Sequence, residues 1–158
     1  MPIVTPENVQ IETITVNDTP CGPATGLRFS DTGGLTQFGA FVEILPPGSR
    51  SSLCHWHLHE DEFVYMLTGE VTVHEGDTRN LLLPGQAVCF KAGVPAGHYL
   101  QNHGNSEASY LVVGSRHKDE VVTYPDHDRV LYAVGEVRRF TTLDGTEGVE
   151  SAYLLPGA

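Results

Sequence analysis

An all-β sandwich or barrel is the fold class this 158-residue chain predicts. Two observations carry that expectation. Apolar and polar residues alternate with period two over short runs, as strands with one buried face require. The runs recur at intervals of about 8–12 residues, separated by Gly and Pro turns. Helical periodicity is scarce.

Taken in order, residues 8–16 read as a strand, and residues 36–45 as another, closed by Pro46-Pro47-Gly48. Strands at 53–59 and 62–67 follow, and Thr68-Gly69 turns into a strand at 70–74. Glu75-Gly76-Asp77 turns into 78–83, and Pro84-Gly85 into 86–91. A Gly/Pro-rich loop at 92–97 leads to 98–102, and 108–114 closes the series. Beyond Ser115, Arg116 to Glu120 read as a charged connector, Tyr124 to Asp128 as a turn, and 130–134 as a strand. Residues 144–158 have weak pattern and are expected to wrap the barrel or a partner subunit. The length fits one domain over 1–158: a barrel at about 36–115, N-terminal strands within 1–35 and a C-terminal extension at 116–158. Closure of such a barrel protects strand edges and leaves an interior able to hold a small ligand.

Composition narrows the partners. A net charge of −11, from 20 acidic and 9 basic residues, argues against nucleic acid or an anionic membrane, both of which need clustered Lys and Arg. No apolar run approaches the ~20 residues of a membrane span. Residues 1–7 lack the basic and apolar regions of a signal peptide, so the expected location is cytoplasmic. Cys21, Cys54 and Cys89 are odd in number and widely spaced, which is no disulfide framework. Cys54 and Cys89 are expected to be structural and buried, with Cys54 aimed away from the face His55 uses.

The chemistry concentrates in His55-Trp56-His57-Leu58-His59-Glu60-Asp61-Glu62, three histidines and three carboxylates in eight residues. On an extended strand His55, His57 and His59 point to one face, where imidazoles can converge on one metal ion. A carboxylate beyond the next turn can complete the site. Trp56 and Leu58 interleave as on a two-faced strand, an apolar strand follows at once, and a further histidine, His98, lies downstream. Imidazole and carboxylate together suit first-row transition metals.

These residues also carry a family resemblance. Gly48, His55-Trp56-His57, Glu62 and Gly69 resemble the first cupin motif, and Gly85, His98 and Asn102 the second. The Gly48 spacer is one residue longer than usual, Lys91 stands in place of a proline, and the 92–97 loop is two residues longer. The resemblance covers roughly residues 36–115 and extends to a subgroup of small single-domain bacterial metal-binding cupins.

The resemblance implies a double-stranded β-helix (jelly-roll) barrel holding one divalent transition metal (Fe, Mn, Ni or Zn) on His55, His57, Glu62 and His98. It implies a small-molecule substrate or ligand and a homodimer, to which an edge strand near the N-terminus could contribute. It leaves the reaction open, because one fold hosts many chemistries. The expected function is a metal-dependent enzyme acting on a small polar carbonyl or hydroxy compound. Isomerase or epimerase chemistry on a sugar-like substrate leads, with dioxygenase or lyase chemistry close behind and a non-catalytic binding or sensor protein as the alternative. His59 is the candidate general base or outer hydrogen-bond partner. Lys91 and Arg50 are candidates for the pocket mouth, while Glu60 and Asp61 are expected in solvent. Asn102 is expected to hold backbone, and Tyr65 and Tyr99 to pack the barrel.

Overall fold

The structure, a computed structural model, describes residues 3–15 and 19–148. Its strands are β1 (Gln10–Ile14), β2 (Ala24–Arg28), β3 (Phe38–Leu45), β4 (Trp56–His57), β5 (Glu62–Thr68), β6 (Val71–Glu75), β7 (Thr78–Leu82), β8 (Ala87–Phe90), β9 (His98–Gln101), β10 (Ala108–Ser115), β11 (Asp119–Tyr124), β12 (Arg129–Val134) and β13 (Val137–Thr141). A short helix, α1 (Phe29–Thr32), and a 3-10 turn at Pro125–His127 accompany them. The strands form a six-stranded sheet in the order β1-β2-β3-β10-β5-β8, a three-stranded sheet β7-β6-β9 and a four-stranded sheet β13-β12-β11-β4. All pairings are antiparallel. This is the all-β, double-stranded β-helix architecture.

Period-two alternation builds the interior. β5 buries Val64 and Met66 while Phe63, Tyr65 and Leu67 face out; β10 buries Ala108, Tyr110 and Val112. These join Leu45, Val71, Val73, Leu82, Phe90 and Leu100 in one core. Burying such side chains is worth about 1.5–3 kcal/mol each. A second cluster, Cys21, Leu53, Val122, Tyr124 and Leu131 with Phe140, lies between the N-terminal segment and the four-stranded sheet. The turn at Gly69 needs its glycine: φ is 71°, and an added Cβ would lie 2.7 Å from the Glu107 carbonyl oxygen.

Several segments differ from the sequence reading. β2, α1, β11 and β13 were not anticipated. The region read as a charged connector contains the start of β11, which pairs with β12 and with β4. The strand expected over 53–59 shrinks to β4, with His55 in an isolated bridge to His98. Cys89 is exposed rather than buried, because alternation turns its neighbour Phe90 into the core. Cys54 is half-buried. The end of the first strand at Val16, and the wrapping expected of residues 149–158, lie outside the described residues. Asn102 is fully buried and holds backbone: Nδ2 donates to the carbonyls of Leu45 (2.7 Å) and Ser106 (2.9 Å), and Oδ1 accepts from Gly104 N–H (2.9 Å). No helix among the described residues is long and apolar enough to cross a membrane.

Glu43 on β3 faces inward from the six-stranded sheet. It accepts a hydrogen bond from Tyr110 Oη on neighbouring β10. Burial pushes its carboxyl up to about 7, against the Tyr110 hydrogen bond and the charge of Arg28, which act the other way. A group that holds its proton more tightly when folded contributes stability that is complete below pH 4.5 and lost as pH rises to about 7. The shift corresponds to about 3 kcal/mol. Glu43→Gln keeps an acceptor for Tyr110 and removes the titration. Denaturant unfolding from pH 5 to 8 is expected to show the parent losing stability relative to this variant; parallel profiles would refute the assignment.

Candidate metal centre

The site begins with a backbone pairing. His55 N–H donates to the His98 carbonyl (3.3 Å) and His98 N–H to the His55 carbonyl (2.8 Å). Directly opposed residues of an antiparallel pair send their side chains to the same face, and the two rings lie 4.9 Å apart. His57, two residues on, brings its ring 4.9 Å from that of His55. Its Nε2 is 3.1 Å from His55 Nε2. Glu62, at the start of β5, puts Oε2 3.9 Å from His57 Nε2 and 3.8 Å from His98 Nε2. His55, Glu62 and His98 thus hold their donor atoms within 4.8 Å of one another, and His57, beside His55 and Glu62, does the same with Glu60 and Glu120.

The surroundings fix each ligand's orientation. His55 Nδ1 sits 2.8 Å from the Leu53 carbonyl, which can only accept, so Nδ1 carries the proton and Nε2 the lone pair. His98 stacks on Phe90 at 3.7 Å, nearly parallel, and its Nε2 is buried with no hydrogen-bond partner. Buried polar atoms are normally satisfied. An unsatisfied Nε2 facing a carboxylate, with further imidazoles near by, is a donor set that could hold a divalent transition metal.

Burial, helped by neighbouring His57 and His98, pushes the His55 imidazole down to about 4, so it stays neutral as a ligand must. Burial would raise the Glu62 carboxyl, but the imidazoles of His98, His55 and His57 outweigh it and hold the group below its ordinary value. His57 moves the other way. Burial would lower it, and the carboxylates of Glu120, Glu62 and Glu60 more than reverse that. Surroundings that favour a proton on His57 favour a metal ion there for the same Coulombic reason.

Glu120 is the functional residue the sequence reading missed. It is buried on β11, accepts N–H bonds from Leu58 (2.9 Å) and His59 (3.2 Å), and sits 3.8 Å from His57 Nδ1. β11 carries Tyr124 on the same face, its ring 5.8 Å from that of His55. Glu60, expected in solvent, is instead half-buried 4.0 Å from His57 Nδ1 and accepts the His117 N–H at 2.5 Å. Asp61 is exposed and accepts the Ala92 N–H (2.8 Å).

His59 does not share the inward face, because β4 ends at His57; it is exposed, its ring 4.8 Å from that of His117. Lys91 lines a small cavity with His57, Glu60 and His98. Arg50 lies elsewhere, its guanidinium 5.5 Å from the Tyr99 ring centroid. Tyr65 and Tyr99 face outward instead of packing the barrel interior. The Cys54 thiol is pushed up to about 11 by burial and by Asp126.

Outer partners that orient a ligating histidine usually govern metal affinity. Glu120→Gln preserves shape and removes the charge beside His57, and is expected to weaken metal binding about 10–100-fold. Competition with a chromogenic chelator measures this; an unchanged affinity would remove Glu120 from the centre.

The Cupin domain family model matches residues 41–114. A search of the curated proteins found no match. Among solved structures, the chain is similar to a sugar phosphate isomerase from a cupin superfamily of Silicibacter pomeroyi, with 30% identity, coverage of 94% of this chain and 98% of that one, and a TM-score of 0.85. It is also similar to a candidate sugar phosphate isomerase of Acidithiobacillus ferrooxidans (24% identity, 94% and 97% covered, TM-score 0.82). A predicted oxalate decarboxylase of Thermotoga maritima matches at 23% identity, with 72% and 98% covered and a TM-score of 0.61. The last two similarities speak to fold alone. Fold, motifs and the Silicibacter relative together make this chain a member of the cupin superfamily.

Proposed function

We propose that this cupin is a metal-dependent enzyme that isomerises or epimerises a small polar carbonyl or hydroxy compound of sugar type. The observation that carries the proposal is the convergence of His55 and Glu62 on the unsatisfied Nε2 of His98, with His57 beside them. The description of the Silicibacter relative as a sugar phosphate isomerase supports the same reading. One iron, manganese, nickel or zinc ion would be held by these four residues, and when bound it would supply a Lewis acid that polarises a carbonyl. Such a reaction takes a proton from a carbon next to a carbonyl and returns one to the substrate, with no net oxidant.

Proton transfer then needs a group at the rim. We assign it to Glu60, which lines the cavity 4.0 Å from His57 Nδ1 and whose carboxyl is pushed above its ordinary value by burial, since His59 turns away toward His117. Lys91, beside the cavity bordered by His57 and His98, supplies a cation for an anionic substrate group. We place the protein in the cytoplasm, in keeping with its free cysteines.

The test is a panel of free and phosphorylated aldoses and ketoses incubated with metal-loaded protein and followed by NMR, with metal measured by elemental analysis. Glu60→Gln is expected to keep its metal and lose about 10²–10⁴-fold in turnover, whereas His55→Ala loses the metal. Stoichiometric metal with no turnover across the panel would overturn the enzyme reading in favour of a non-catalytic binding cupin.

We further propose that the partner is a second copy. The outward positions of the six-stranded sheet, among them Ile11, Val42, Ile44, Leu111, Phe63 and Tyr65, include no charged side chain, in a chain of net charge −11. An uncharged apolar face on an otherwise repulsive surface suits two-fold self-packing. Sedimentation equilibrium is expected to give twice 17.2 kDa, and Tyr65→Arg to give the monomer mass. A monomeric parent would exclude this interface.

A further inference from the structure

The outer face of the three-stranded sheet carries a row of cationic and aromatic side chains that the metal centre does not use. His74 on β6 lies directly opposite Arg79 on β7 and Tyr99 on β9. Alternation sends Val73 and Leu100 into the core, so His74, Arg79 and Tyr99 share the opposite face. The His74 and Tyr99 rings stack at 4.3 Å with planes 9° apart. Arg50, bridged to Gln101, extends the row with its guanidinium over Tyr99. His103 sits on its other flank, its ring 6.2 Å from that of His74.

The charges in this row are unbalanced. Among the described residues, Arg28 pairs with Glu12 and Arg116 with Asp31, whereas no carboxylate lies within ion-pair distance of Arg50 or Arg79. This holds in a chain with 20 acidic residues. Burial, then Arg79, His103 and Arg50, all disfavour a proton on His74. His74 is 8% exposed, and its Nε2 is buried without a hydrogen-bond partner. Arg79 and Arg50 both act on His74 with no counter-charge beside them. Two unpaired guanidiniums and an unsatisfied imidazole nitrogen on one face call for an anion with several acceptor oxygens. Guanidinium forks match phosphate geometry best.

We propose that this face binds a phosphate-class anion, inorganic phosphate or the phosphoryl group of a small molecule, seated among Arg79, His74 and Arg50. Tyr99 follows His98 on β9, and the two side chains point to opposite faces of that strand. The anion site is thus separate from the metal centre, and a ligand there need not compete with one at the metal.

Calorimetric titration of metal-loaded protein at low salt with inorganic phosphate, and separately with glycerol phosphate, tests the proposal and distinguishes free phosphate from a phosphoryl group. The Arg50→Gln/Arg79→Gln double variant is expected to lose at least about tenfold in affinity for the tighter of the two probes, with metal content unchanged. Parent protein stripped of metal by a chelator should bind as before. Absence of binding to either probe, binding unchanged in the double variant, or binding that disappears with the metal would each overturn the proposal.

Discussion

Two backbone hydrogen bonds between His55 and His98 are the constraint on which the rest of the molecule depends. They make two distant residues direct neighbours and thereby fix which face both imidazoles use. The pairing requires close backbone approach. An added Cβ at Gly97 would lie 2.6 Å from Cys54 Sγ and 3.2 Å from Pro125 Cγ, so the residue before His98 has no room for a side chain. Cys54 then acts as a spacer on the far side of the strand.

Around that pair, each ligand is braced by a different kind of force. The Leu53 carbonyl fixes the His55 tautomer, the Phe90 ring holds His98 by stacking, and the Glu120 carboxylate faces His57. The last brace comes from the C-terminal strands, which are docked by the apolar cluster of Val122, Tyr124 and Leu131 with Leu53. A packed apolar layer thus positions a buried charge. That charge in turn accepts the Leu58 and His59 N–H groups just past the end of β4.

This explains what could be read from the chain and what could not. Alternation and turn residues made the barrel strands legible, and spacing together with the family pattern singled out His55, His57, Glu62 and His98 before any coordinates. Period-two reasoning failed at His59 because it holds only while the strand continues, and β4 stops two residues earlier. Glu120 was read as part of a connector because a carboxylate beside Asp119 looks solvated. Nothing local announces that a histidine and two N–H groups sixty residues upstream will take it inside. Arg50 was read as a mouth residue from proximity in sequence to the first motif, but its bridge to Gln101 places it on the outer face.

The distribution of charge also limits what can approach the centre. Glu60, Glu62 and Glu120 gather within 4.0 Å of His57, concentrating negative potential where a divalent cation gains most. The same field, added to the net charge of −11, opposes an anionic substrate at the metal itself. Lys91 is the lysine that lines the adjoining cavity. A ligand at the centre would therefore be favoured with a neutral group toward the carboxylates and any negative group toward Lys91. The unpaired arginines lie instead on the outer face of β7-β6-β9, where the opposite sign of charge is stabilised. One thin sheet thus separates a cation-seeking interior from an anion-seeking exterior, and β9 contributes side chains to both.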